Sequence, residues 1–367
     1  MTIRERMMAA YRGEPFDRVP WHGNMDHWYN VNKARGTLPR EYADAPLWDI
    51  QRDLKVGIWQ RVGVVKTVSD AKVRTRREQR DETTITTYET PLGSVYSRHE
   101  TASDFTRAQY QKEWIVKSPQ DLRVALYMLE GEHYEPGDWD NFRQVDRDVG
   151  DDGITLSSAC ADPLMRFISG WMGVAAFSYA LADYPDPLDR AIHVSIRKSL
   201  EQVKVAAQSP CDIFQIGGNI DAQVVGPELF ARYALPFMQE ATRLLQDHGR
   251  LAQYHFDGAV KPLLPLINET GLDCTESITP LPQGDVTLQH ARESLQDSIL
   301  IHGGIGSALV THGFSDAEFD AAVIAAARLG ARTGRIALGL ADNAPPDADP
   351  SRIARINEIV EEYGWVS

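Results

Sequence analysis

The sequence predicts an α/β protein built as a (β/α)8 TIM barrel with a β-hairpin insertion in its N-terminal third, and three observations carry that reading. From residue 150 onward, six short apolar runs alternate with amphipathic helical stretches, the pattern of repeated βα units around a parallel sheet. Two further runs upstream bring the total to the eight strands of a closed barrel. Polar residues collect at the carboxyl ends of these runs, where parallel α/β folds place their active sites. An open doubly wound sheet is the competing arrangement.

In chain order, Arg18 to Gly23 and Val56 to Gln60 supply the first two strands. Gly153 to Cys160, Cys211 to Asn219, Arg250 to Asp257, Leu272 to Ile278, Ser298 to Gly304 and Arg335 to Ala341 supply the other six. Between them fit helices over Pro187 to Gln208, Pro227 to His248 with a kink at Pro236, and Pro262 to Glu269. Leu288 to Leu295, Asp316 to Leu329 and Ser351 to Tyr363 follow. Proline is tolerated in a helix's first turn because the missing N–H has no intrahelical partner there, whereas inside a helix it bends the axis.

The segment from Val64 to Trp114 breaks the rhythm. Thr83 to Tyr88 and Ser94 to His99 are β-branched or aromatic runs joined by Glu89 to Gly93, which predicts a hairpin. The expected organisation is therefore one barrel domain over residues 1–367 with a β-rich insertion at about 64–115. Within it Lys72, Arg74, Arg76, Arg77 and Arg80 read as a solvated edge strand, whose charge discourages aggregation, in preference to an anion grip.

Fifty-two acidic against thirty-eight basic side chains give a net charge of -14, which disfavours nucleic acid and anionic membrane surfaces as partners. Small molecules, a protein partner or a second copy in a homodimer fit better. Cys160, Cys211 and Cys274 lack paired spacing and suggest neither a disulfide framework nor a cysteine-rich zinc knuckle. The charged amino terminus has no apolar core, and the longest mostly apolar stretch, Gly170 to Ala182, is too short to span a bilayer. A soluble, unprocessed, cytoplasmic protein is expected.

The candidate site follows from the strand ends, which carry Asn24, Asn219 with Asp221, His255 with Asp257, Glu276, His302 and Asp342. Side chains two apart on a strand point the same way, so His255 and Asp257 converge at the mouth. With Asp342 they compose a mixed imidazole and carboxylate set suited to a divalent ion, or a metal-free pair that orients substrate. Glu276 suits a general acid or base. Asn24, Asn219, Asp221 and His302 are candidate substrate contacts. Cys274 shares a strand face with Glu276, but a buried inert thiol is the better reading. Trp21, Trp28, Tyr29 and Trp171 read as core aromatics in preference to the walls of a ligand pocket.

These residues also carry a resemblance. Arg4-Glu5-Arg6 to Arg12-Gly13-Glu14-Pro15, Asp17 to Pro20, Gly226 to Phe230, His255-Phe256-Asp257-Gly258, His302-Gly303-Gly304-Ile305 and Asn343 to Pro346 fall in the order found in the uroporphyrinogen decarboxylase superfamily. That superfamily includes corrinoid-dependent methyltransferases, and the chain resembles this branch more closely than the authentic decarboxylases. Where those decarboxylases have an arginine-rich motif after the first strand, this chain has Trp21 to His27. The methyltransferase branch holds zinc through His-x-Cys and a later Cys, and the matching positions here are His255, Asp257 and Asp342. The resemblance implies a (β/α)8 barrel and metal-assisted methyl transfer on a small organic substrate. It further implies a divalent ion, zinc foremost, a corrinoid protein as partner, and His255, Asp257 and Glu276 as catalytic residues. A decarboxylase or lyase acting on a small carboxylic acid is the alternative.

Overall fold

The computed structural model describes residues 1–103 and 108–366. Its contacts group into two compact units, one of residues 1–63, 138–158 and 210–367, the other of residues 64–137 and 159–209.

The first unit holds the barrel. Its strands are β1 (Trp21–His22), β2 (Ile58–Arg61), β3 (Gly153–Ser158), β4 (Ile213–Ile220), β5 (Leu251–Phe256), β6 (Cys274–Ile278), β7 (Leu300–Gly306) and β8 (Ile336–Ala341). They pair in parallel in the order β1-β8-β7-β6-β5-β4-β3-β2, and a parallel bridge between His22 and Gly57 joins the two ends. All eight lie within or against the sequence-derived runs. Burial on both faces turns a parallel strand into a nearly continuous apolar run, which is why these segments were legible.

The barrel floor is built by the first helix, Ile3–Arg12. Thr2 and Glu5 form a capping box at its start, and Gly13 ends it in the left-handed conformation. Its buried face carries Met7, Ala10 and Tyr11, which pack with Ile213, Cys274, Leu300 and Ala337 from the first turns of the strands. Fully burying a side chain such as Met7 contributes roughly 1.5–3 kcal/mol.

The helix expected from Pro227 to His248 is continuous, but Phe230–Ala234 winds as a π turn before Leu235–Gln246. Pro236 has no N–H for an i−4 carbonyl, and the wider turn absorbs that missing bond without breaking the helix.

In the second unit, Arg74–Arg80, Thr83–Thr90, Gly93–Thr101 and Gln109–Glu113 form a four-stranded antiparallel sheet in that order. Among the described residues the basic run is an edge strand, paired only with Thr83–Thr90, and its arginines are exposed. The same unit continues beyond the hairpins into the helices Pro119–Glu130 and Pro185–Ala207, so its contacts extend well past residue 115.

Backbone strain concentrates where the barrel strands end. Asn219, Ser277 and Asp342 have φ of 69°, 70° and 71°, and Gly258 has 57°. Asn and Asp tolerate this region better than other side chains, and such residues gather at functional sites. At Gly258 an added Cβ would also lie 2.1 Å from the Asp221 carboxylate. We therefore expect Gly258→Ala to cost about 1–3 kcal/mol in urea unfolding. Adding Asp221→Ala should recover part of the loss, and an unchanged midpoint in the single variant would contradict the clash.

Candidate active site

Three polar side chains stand on one register line across adjacent strands. His255 on β5 is opposite Glu276 on β6, and Glu276 is opposite His302 on β7. Two residues below, Gln253, Cys274 and Leu300 occupy the equivalent line. The alternation of parallel strands thus places an apolar and amide layer beneath an ionisable one.

His255 Nδ1 lies 2.5 Å from Glu276 Oε2, and both residues are buried, at 6% and 3% exposure. Burial is the largest single influence on His255 and disfavours its charged form, yet the charge and hydrogen bond of Glu276, with Asp342 and Asp257 behind it, outweigh burial and raise its pKa. Burial likewise acts to raise Glu276, but the charge and hydrogen bond of His255, then His302 and Arg61, leave it below the usual glutamate range. Both directions describe the same species, an imidazolium held by a carboxylate.

His302 behaves oppositely. Burial dominates and, although Glu276 pulls the other way, its pKa falls to about 4. His22 on β1 is also depressed, first by burial and then by His302 and Arg61. The two neutral imidazoles meet with His22 Nε2 3.4 Å from His302 Nδ1 and ring centroids 3.8 Å apart. They fit because Gly339 on β8 lacks a side chain: a Cβ there would come within 3.1 Å and 3.2 Å of the two Nε2 atoms. Trp59 on β2 stacks on His22 at 5.0 Å and meets His302 edge-on at 5.4 Å. Beneath them Tyr11 rises from the floor helix, donating a 2.6 Å hydrogen bond to Gln253 Oε1.

The structure thus brings His255, Glu276 and His302 together. Asp257 and Asp342 stand near enough for their charges to act on His255, but with other partners. The Asp257 carboxylate accepts from the Gly258 N–H, and the exposed Asp342 carboxylate accepts from the side chain of Asn343. Among the described residues, no three His, Cys, Asp or Glu side chains are grouped closely enough to hold a metal ion. The set His255, Asp257 and Asp342 expected from the sequence is not grouped as a metal centre: Glu276 holds Nδ1 of His255 and leaves Nε2 free, and the two aspartates carry the partners just named.

The proposed substrate contacts divide. Asp221 accepts from the backbone of Gln223 and Ala259, tying the end of β4 to the turn after β5. Asn24 accepts from the Asp26 N–H and helps open the helix Asp26–Arg35. Asn219 is exposed at the end of β4. Cys274 is fully buried and its thiol is pushed well up, chiefly by burial, so it is no nucleophile at neutral pH. Trp28 and Tyr29 are core residues bonded to the Ala348 and Ala45 carbonyls.

His22, Trp59, Arg61, Gln215, Gln253 and Tyr11 were not anticipated. Gln253 carries a sequence signal, since it continues the two-residue period of His255 and Asp257, and Gln215 is a polar interruption in an apolar run. Tyr11 carries none.

A parallel barrel with a buried imidazolium–carboxylate pair near the strands' carboxyl ends defines an α/β-barrel enzyme. The family model described as uroporphyrinogen decarboxylase (URO-D) matches residues 164–363, more than half of the chain, and the chain belongs to that family. Among solved structures, a methyltransferase from Methanosarcina mazei aligns over 99% of both chains with a TM-score of 0.60 and 14% identity, a likeness of fold. A search of curated proteins finds no significant match.

Proposed function

We propose that the protein catalyses one-carbon transfer from a small methyl donor, with His255 as the proton donor and Glu276 as its fixed counter-charge. The observation that carries this reading is the buried 2.5 Å His255–Glu276 pair, which favours the imidazolium form of His255. The family membership and the fold shared with a methyltransferase support the reaction class.

In the step envisaged, a nucleophile takes the methyl group from a donor oxygen, nitrogen or sulfur. The bond from methyl to heteroatom breaks, the heteroatom keeps the electron pair, and His255 Nε2 delivers its proton there. Glu276 stabilises the imidazolium beforehand and fixes the ring, so that Nδ1 is committed and Nε2 faces the reaction. His302, held neutral, adds no competing positive charge. A corrinoid, free or carried by a partner protein, is the proposed methyl acceptor and would supply the nucleophile. No step is assigned to a metal ion held by His255, Asp257 and Asp342, because those side chains are not grouped to bind one.

Reduced cobalamin mixed with the protein and a panel of methyl ethers, thioethers and amines should be methylated with at least one donor, seen as a change in its visible spectrum. No change with any donor would count against methyl transfer. Decarboxylation is the second reading, favoured by the same imidazolium, which could protonate a carbanion. Carbon dioxide release without methylation would select it.

A further inference from the structure

Among the described residues, Arg61 is a cation of the site that the proposed proton transfer does not use. Arg61 ends β2 and is exposed at the carboxyl end of the barrel strands. It donates a 2.7 Å hydrogen bond from a terminal nitrogen to Gln215 Oε1 on β4, and its guanidinium lies 4.7 Å from the Trp59 ring centroid. Those two contacts fix the plane of the fork without neutralising it. Among the described residues Arg61 has no carboxylate within ion-pair distance, its contacts being Gln215 and Trp59, although the chain carries fourteen more acidic than basic side chains. Its charge acts inward, reaching Glu276, His302, His22 and Tyr11.

A second observation concerns unused hydrogen-bonding capacity beside it. Trp59 Nε1, Gln253 Nε2, His22 Nδ1 and His302 Nε2 are buried without a hydrogen-bond partner among the described residues. Buried polar groups are ordinarily satisfied, so such a set calls for a polar guest or ordered water. Indole and amide nitrogens can only donate. With the spare N–H groups of Arg61, the region offers an excess of donors and calls for an acceptor-rich guest.

We propose that Arg61, oriented by Gln215 and Trp59, is the specificity-determining residue of this site and selects a small organic monocarboxylate. The carboxylate pairs with Arg61 while the reacting end of the molecule faces His255. One guanidinium balances one negative charge. A dianion would add an uncompensated charge to a mouth that already carries Asp257 and Asp342. This assignment rests on the proposed reaction only for the orientation of the substrate, and the binding step stands apart from turnover.

The test is a calorimetric and thermal-shift titration of the intact protein with monocarboxylates from acetate to benzoate, their amides, and inorganic phosphate. At least one carboxylate should bind and raise Tm, with its amide at least tenfold weaker and phosphate weaker still. Arg61→Gln should weaken that carboxylate by about 10- to 100-fold, the scale of losing a charge-assisted hydrogen bond, and Arg61→Lys should restore part of it. Trp59→Phe, which keeps one aromatic ring but removes the pyrrole half of the indole with its N–H, should weaken it several-fold. Circular dichroism confirms folding of each variant. Equal binding of acid and amide, unchanged affinity in Arg61→Gln, phosphate binding in preference to every carboxylate, or no carboxylate binding at all would each overturn the assignment. Carboxylate binding that depends on Arg61 without any methyl transfer would uphold it while removing the proposed reaction.

Discussion

Glu276→Gln is expected to lower turnover at neutral pH by about 10²- to 10⁴-fold, the usual contribution of a positioned acid or base. Glutamine keeps the size of the side chain and an oxygen that can accept from His255 Nδ1–H, so the change removes charge more than shape. Without the carboxylate, burial is the dominant influence left on a 6%-exposed imidazole, and it favours the neutral form. The active protonated state is then lost at lower pH. In the parent the alkaline limb of the rate profile should lie above the ordinary histidine value of 6.5, because the folded pKa is raised. In the variant the limb should move to more acidic pH, and a ¹⁵N-NMR titration of His255 should move with it. A limb that stays where it was would remove the pair from the mechanism.

Acid should destabilise the fold through a different pair of histidines. The sign follows from which state binds more protons. His255 has a raised pKa, so its contribution is complete below 6.5 and fades as pH rises through its folded value. Glu276 has a lowered pKa, so its contribution is complete above 4.5 and fades as pH falls through its folded value. Between 4.5 and 6.5 the salt bridge therefore contributes a constant amount. His302 stays neutral in the fold down to about 4 but takes up a proton near 6.5 once unfolded. The unfolded state binds more protons across that interval, and stability falls as pH falls. A difference of 2.5 between 6.5 and about 4, at 1.36 kcal/mol per pH unit, is about 3 kcal/mol for His302 alone. His22, depressed in the same direction, adds to the slope. Urea unfolding at pH 6.5 and pH 4.5 should show about 2 kcal/mol of that loss, and His302→Gln should flatten it. An equally steep slope in the variant would place the acid sensitivity elsewhere.

Much of the barrel is legible from the chain because its physics is local. Each of the later strands reads as an apolar run, and each following helix as an amphipathic stretch with proline or a capping residue at its start. His255 and Asp257 are found from the two-residue period of a single strand. Asp342 shows where that rule stops. Its phase matches Ile336, Leu338 and Leu340, whereas the interior of β8 is marked by Gly339, opposite His22, and the left-handed backbone at Asp342 ends the alternation before its side chain is placed. β1 is only two residues long, so His22 offers no period to read.

By itself the sequence determined the eight strands, the hairpin Thr83–Thr90 with Gly93–Thr101, the inert thiol at Cys274 and the family, since these depend on patterns within tens of residues. Only the tertiary structure decided the partners. It gave His255 to Glu276 in place of an aspartate pair, joined Arg61 to Gln215 across 154 positions, and set Tyr11 of the first helix under His302. Strand register and closure of the sheet place these groups, and both are cooperative properties of the whole barrel that no single segment encodes.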